Sequence, residues 1–239
     1  MASIDKRLQQ VKGRISSACS SAGRDVRSVT LLAVSKTQPA VAVRAAVAAG
    51  QHAFGENYVQ EALDKMAVLA DLRPALEWHL IGPLQSNKTR AVAEAFDWVH
   101  TVDRLKIAQR LSDQRPADLA PLNVCLQVNI SGEPSKSGLV AADVPEVART
   151  VAALPRLKLR GLMAIPEPAA EFEAQRVPHR ALCALRDRLV ADGLALDTLS
   201  IGMSADLEAA IAEGATLVRV GSAVFGERRV TTPAAAPCS

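Results

Sequence analysis

Eight short apolar runs recur along the chain, and a longer stretch with helical periodicity separates each from the next. The runs predict strands at 29–35, 53–55, 78–81, 98–102, 124–130, 159–164, 199–202 and 217–220. The stretches between them predict helices over 40–49, 59–69, 87–96, 105–114, 144–154, 171–192 and 205–213. Ahead of the first strand, Ile4, Leu8, Val11 and Ile15 recur at three- and four-residue spacing, so an opening helix is expected over 4–22, ended by Gly23. Strands alternating with helices fold either as a closed (β/α)8 barrel or as an open, doubly wound sheet. A count of eight favours the barrel. The open sheet more often places a glycine-rich turn after its first strand; here that turn reads Ser35-Lys36-Thr37-Gln38-Pro39 and has no glycine. The expected fold is therefore α/β, a (β/α)8 TIM barrel with an extra N-terminal helix. No linker divides it, so one domain is expected over 1–230, followed by a frayed tail at 231–239.

Hydrophobic residues make up 49% of the chain and charged residues 22%, enough apolar material for a large core. Aromatics are only 3%, so Ala, Val and Leu must fill that core, and a stacking surface for single-stranded nucleic acid is disfavoured. The net charge is +3 and the basic residues are scattered, which also argues against a nucleic-acid partner. Cys19, Cys125, Cys183 and Cys238 form no CxxC pair, so neither a disulfide framework nor a zinc site is expected, and a reducing cytosol fits. His52, His100 and His179 show no metal-ligand spacing. The N-terminus lacks a signal-peptide apolar region and no run reaches membrane-spanning length, so a cytoplasmic protein without a membrane partner is expected.

Barrels of this class bind ligands at the carboxyl ends of their strands, and phosphate by the loops after strands seven and eight. That rule gathers residues far apart in sequence. Lys36 ends the first strand, Ser204 follows the seventh, and Gly221 and Ser222 follow the eighth. Ser204 is placed to cap the helix that follows it, whose first N–H groups attract anions; Asp206 in the first turn slightly opposes this. Gly221 permits close approach to the backbone, and Ser222 adds a hydroxyl. Arg219 lies inside an apolar strand, where a charge is costly unless paired. It either answers a ligand or bridges to an acid such as Glu227. Asn57 either reaches the ligand or caps the next helix. His79 has a rim position suited to a pocket, although a lone strand histidine is more often a core residue. The polar loops 82–88 and 129–138, with Lys88 and Lys136, are expected on the ligand face. A lysine at the rim beside an anion site points to a carbonyl cofactor carrying phosphate, with pyridoxal 5′-phosphate (PLP) the leading candidate.

Several strings carry a family resemblance. They include Ala33-Val34-Ser35-Lys36-Thr37, Phe54-Gly55-Glu56-Asn57-Tyr58 and His79-Leu80-Ile81-Gly82-Pro83-Leu84-Gln85-Ser86-Asn87-Lys88. Further strings are Ser135-Lys136-Ser137-Gly138, Arg160-Gly161-Leu162-Met163-Ala164-Ile165-Pro166, Gly202-Met203-Ser204-Ala205-Asp206-Leu207 and Val218-Arg219-Val220-Gly221-Ser222. By these the chain resembles the pyridoxal-phosphate homeostasis proteins, relatives of the N-terminal barrel of alanine racemase. The resemblance implies that Lys36 forms an imine with PLP, Arg219 faces the pyridine nitrogen and Asn57 lies near the phenolic oxygen. It also implies that Ser204, Gly221 and Ser222 hold the phosphate. Departures are small: Ile201 stands where methionine is frequent, and Ser222 where threonine is frequent, keeping the hydroxyl.

The family resemblance implies a monomeric PLP carrier that maintains cofactor and amino-acid balance without evident turnover, with apo PLP-dependent enzymes as acceptors. A racemase needs a second, tyrosine base, and the only tyrosine here is Tyr58. The competing expectation is a PLP-dependent racemase or aldolase-like enzyme. A third is a barrel enzyme that binds only a sugar phosphate.

Overall fold

The eight apolar runs become strands β1 (Thr30–Val34), β2 (Ala53–Glu56), β3 (Glu77–Leu80), β4 (Trp98–Val102), β5 (Leu122–Gln127), β6 (Leu157–Met163), β7 (Thr198–Ser200) and β8 (Leu217–Val220). All pairs are parallel and follow chain order, and β8 pairs with β1 to close a barrel. The open-sheet alternative is thereby excluded. The computed structural model describes residues 2–133 and 136–226; Ser135, Glu227, Cys238 and the expected 231–239 tail lie outside them.

Period-2 alternation sorts each strand's side chains between two environments. Leu31 and Ala33 of β1, Phe54 of β2, and Val218 and Val220 of β8 join the large core shared with the helices. Their neighbours in sequence, Leu32, Ala53 and Leu217, instead form a separate cluster with Ile81 and Val34 inside the barrel. Trp98, Cys125 and Met163 make a second interior cluster. Burial pushes the Cys125 thiol up to about 12, so it remains protonated.

The helices are α1 (Ile4–Ser21), α2 (Ala40–Ala48), α3 (Val59–Val68), α4 (Thr89–Ala95), α5 (Leu105–Gln114), α6 (Val144–Ala152), α7 (Phe172–Ala191), α8 (Leu207–Ala212) and α9 (Ser222–Phe225). Ser3 caps α1 through Lys6 N–H, and Leu8, Val11 and Ile15 are buried, as their spacing predicts. Helix α1 packs on α8, α9 and α2. Arg14 of α1 makes two bonds to the Glu208 carboxylate, and Arg7 donates to Phe225 O. The opening helix thus braces the segments that follow β7 and β8. The glycines expected to end helices, Gly50 and Gly214, have φ of 80° and 98°. Among the described residues, no helix is long and apolar enough to cross a membrane.

Of the glycines, Gly161 leaves the least room for a side chain. A Cβ there would lie 1.7 Å from Thr198 O on the neighbouring strand β7. Gly161→Ala must push β6 and β7 apart, and a loss of about 1–3 kcal/mol is expected. A urea-unfolding midpoint equal to that of the parent chain would contradict this packing.

Candidate functional site

The same alternation that builds the barrel delivers the site. Interior positions run Leu32, Val34, Lys36 past the end of β1; Ala53, Gly55, Asn57 past β2; and Leu217, Arg219, Gly221 past β8. Lys36, Asn57, Arg219, Gly221 and Ser222 accordingly line one cavity of about 520 Å³ at the carboxyl ends of the strands, together with Ser204. That volume suits a small cofactor. All six site residues expected from the sequence meet there. The sequence reading did not single out Gln38, Ile165 or Met203, which also line it.

Lys36 sits half-buried in the turn after β1. Its neighbour Thr37 has φ of 62°, a conformation that β-branched residues rarely adopt. A buried polar cluster holds both flanks of the turn. Lys65 Nζ donates to Ser35 O at 2.8 Å, to Glu56 Oε1 at 2.6 Å and to Glu61 Oε1 at 3.1 Å. Ser35 Oγ donates to Glu56 Oε1 at 2.6 Å, and Thr37 N–H donates to Glu61 Oε1 at 2.6 Å. Glu56 is fully buried and Lys65 nearly so. Burial raises the Glu56 pKa, with the Lys65 charge and the bonds from Lys65 and Ser35 opposing that rise. Residues 36 and 37 therefore stand on a rigid base, not on a loose loop. The signal in the sequence was Glu56 itself, an acid closing an apolar strand.

Arg219 is 4% exposed. Its Nη1 donates to Ser200 O at 2.6 Å and to Ser200 Oγ at 2.8 Å, and its Nη2 donates to Ala164 O at 2.8 Å. Burial lowers its pKa to about 10, against the opposing charge of Asp206, so the guanidinium stays protonated at neutral pH. The acid suggested from the sequence as its salt-bridge partner, Glu227, lies outside the described residues; these acceptors are a hydroxyl and two carbonyls.

Gly221 precedes α9, and helix starts carry N–H groups without intrahelical acceptors. A Cβ at Gly221 would lie 3.3 Å from Val34 O, so the small residue also lets β8 lie close to β1. Ser204 is not the helix cap expected from the sequence. Helix α8 starts at Leu207 with Asp206 at its N-cap, because Asp206 Oδ1 accepts from Met203 N–H at 2.7 Å and closes a turn over 203–206. Burial would raise the Asp206 pKa, but bonds from His179 and from Met203 N–H hold it below the ordinary range. Ser204 is thereby left on the cavity wall, and its carbonyl is tied to Arg14. Asn57 is likewise not a cap; Tyr58 holds that position for α3. Its Oδ1 is buried without a hydrogen-bond partner among the described residues.

His79 departs from its expected rim position. It is buried in the barrel interior, stacked on Trp98 at 5.2 Å, and does not line this cavity. Lys88 is exposed at the start of α4 and also lies outside the lining. Lys136 pairs with Glu133 and borders an adjoining cavity of about 320 Å³, which shares Asn57, Ile81 and Ile165 with the first.

The arrangement has the chemistry that a phosphorylated aldehyde with a nitrogen ring requires. It offers one amine at the rim, a donor-only cation at the base, an unsatisfied buried amide oxygen, and hydroxyls beside a helix start. The alanine racemase N-terminal domain family matches residues 7–229. The pyridoxal phosphate homeostasis protein of Pseudomonas aeruginosa is 62% identical, covering 98% of this chain and all of the relative. That of Escherichia coli K12 is 56% identical over 95% of this chain and 98% of its own length. PipY of Synechococcus elongatus, solved with PLP bound, superposes with a TM-score of 0.82 at 39% identity, covering 93% of this chain and all of PipY.

Proposed function

We propose that this chain, which belongs to the pyridoxal phosphate homeostasis proteins within the alanine racemase N-terminal domain family, binds pyridoxal 5′-phosphate covalently on Lys36 and passes it on. The observation that carries this reading is the convergence of Lys36, Asn57, Ser204, Arg219, Gly221 and Ser222 on one cavity. When bound, the cofactor supplies an aldehyde carbon with which a lysine amine condenses reversibly, releasing water. Lys36 provides that amine from the clamped turn after β1. Ser204, Ser222 and the backbone at Gly221 take the phosphate, and Asn57 takes the phenolic oxygen.

Arg219 donates to the ring nitrogen. A guanidinium keeps its protons, so that nitrogen stays unprotonated and the ring is a weak electron sink. This supports a carrier over an enzyme that stabilises carbanions. Tyr58, the sole tyrosine, supports it too: it is 58% exposed at the N-cap of α3 and does not line the cavity, so it is not placed as a second proton-transfer base. The protein acts as a monomer in the cytoplasm, shielding the cofactor and supplying apo-enzymes.

Arg219→Met, which fills similar space without donors, is expected to weaken cofactor binding by roughly 10- to 100-fold, the equivalent of a lost charged hydrogen bond. It should also shift the visible spectrum. Equilibrium dialysis with absorbance at saturation checks both. The carrier role itself is tested by incubating loaded protein with an apo-enzyme and a scavenger of free cofactor. Activation despite the scavenger is the expected result. Sustained turnover of amino acids by the purified protein, lost in Lys36→Ala, would instead establish the racemase or aldolase-like reading.

A further inference from the structure

A chain of polar side chains crosses the barrel between its two interior apolar clusters. Arg219 Nη1 contacts Ser200 Oγ at 2.8 Å, Ser200 Oγ lies 2.8 Å from His100 Nδ1, and His100 Nε2 lies 2.9 Å from His79 Nδ1. His79 Nε2 then faces Glu77 Oε2 at 3.7 Å, attractive but too long for a hydrogen bond. Glu77 is the first residue of β3, so the chain runs from the cofactor cavity to the opposite mouth of the barrel. There, Glu77 and His79 border a separate cavity of about 390 Å³. Ser200 and His100 are fully buried, and His79 is 1% exposed.

Hydrogen-bond chemistry and the charge of Glu77 together set the direction of the links. A guanidinium has donors only, so Ser200 Oγ must accept from Arg219. Ser200 Oγ can then either accept again, from His100 Nδ1–H, or donate its own proton to a bare His100 Nδ1; the carboxylate at the far end, Glu77, selects the second. A neutral imidazole carries one N–H, so the proton of His100 sits on Nε2 and is donated to His79 Nδ1. The proton of His79 is left on Nε2, facing the Glu77 carboxylate. The reverse order would turn a bare His79 lone pair towards that carboxylate and is repulsive. Burial lowers the pKa of both histidines, that of His100 well below its ordinary value, with the charges of His79 and Arg219 adding to the effect there. Both rings are therefore neutral at physiological pH. Trp98 stacks on His79 at an interplanar angle of 10° and fixes that ring's plane, and Arg160 lies over the Trp98 ring at 4.7 Å.

We propose that Ser200, His100 and His79 are positioning residues for Arg219: a one-way relay of donors, ending at Glu77, that locks the guanidinium in place for the ring nitrogen of the cofactor. The inference rests on the cofactor reading above and adds residues that do not line its cavity. Donors in series polarise one another, so the hydroxyl of Ser200 becomes a stronger acceptor for Arg219 than an isolated serine would be. The relay also accounts for a charged side chain being buried here on a serine and carbonyls instead of a carboxylate.

The test uses 15N-histidine NMR on the intact protein, with and without pyridoxal 5′-phosphate. Without cofactor, His79 and His100 are both expected as the Nε2–H tautomer near neutral pH. Ser200→Ala, which touches only His100 of the two, is expected to relax the fixed tautomer at both rings. Adding cofactor to the parent protein should shift the ring nitrogens of both histidines, and Arg219→Lys should abolish those shifts while both rings keep the Nε2–H tautomer set by Glu77. His100→Phe, which fills similar space without ring nitrogens, is expected to weaken cofactor binding by about tenfold, a lost hydrogen bond's worth. An Nδ1–H tautomer at either ring overturns the relay. So do unchanged histidine resonances in a protein whose absorbance shows bound cofactor. If no cofactor binds while both rings are Nε2–H, the functional reading fails and the positioning role falls with it, leaving the chain as core packing.

Discussion

Lys36→Ala is expected to lose all cofactor that can be fixed to the chain by borohydride, together with the imine absorbance band of the loaded protein. The loss should be complete rather than graded, because Lys36 is the single amine among the described residues that line the cavity, and the other lining groups offer only hydrogen bonds and charge. Residual binding through the phosphate contacts should survive as a weaker, non-covalent complex that carries the spectrum of the free aldehyde and is detectable by dialysis. Lys36→Arg sharpens the result. It keeps the positive charge, but a guanidinium stays protonated and does not condense with an aldehyde, so it should behave as the alanine variant does. Folding stability should change by about 1 kcal/mol or less in both, since the residue is half-buried at the barrel rim. Fixed cofactor at parental levels in either variant would move the covalent link to another lysine and end the assignment of residue 36.

The barrel was legible because its signal is repetitive: eight apolar runs with helical stretches between them leave few topologies, and each run became a strand within a few residues of its expected limits. The site was legible where a residue broke a local rule. Arg219 within Leu217-Val218-Arg219-Val220 is a charge in a buried strand, and such conflicts single out candidate functional positions. Residues that obey local rules until the chain closes stayed hidden. Lys65 reads as a solvated helix lysine, and only the packing of α3 beside β2 turns it towards Glu56. His79, His100 and Ser200 belong to three strands and become neighbours through the closed barrel interior. Ser204 failed as a cap for a local reason: Asp206 can bond back to Met203 N–H, and that turn displaced the helix start by two residues, from the expected 205 to Leu207.

Lys65→Met is expected to cost about 3–5 kcal/mol of folding stability, the range for removing one partner of a buried ion pair. The reason is what remains. Glu56 would keep its buried carboxylate with only Ser35 Oγ left of its two bonded partners, and its Oε2 already has none among the described residues. The effect carries a pH signature. Burial raises the folded-state pKa of Glu56 above its ordinary 4.5, so its contribution to stability is full below about that pH and is lost as pH rises through the folded value. Without Lys65 the folded value climbs further. The deficit of the variant should therefore be largest at neutral pH and shrink on acidification, as the orphaned carboxylate takes up a proton. Carboxylates held low in the fold, such as Asp206 and Glu213, lose their contributions in acid, but they do so in parent and variant alike and cancel in the difference. Adding Glu56→Gln should restore a large part of the loss at neutral pH, since it removes the charge rather than re-pairing it. Because the same cluster holds Ser35 and Thr37 on either side of Lys36, Lys65→Met should also slow covalent capture of the cofactor. Urea unfolding of parent, single and double variants at acidic and neutral pH, with stopped-flow absorbance for capture, reads both effects; a deficit independent of pH would show that Glu56 carries no charge in the fold.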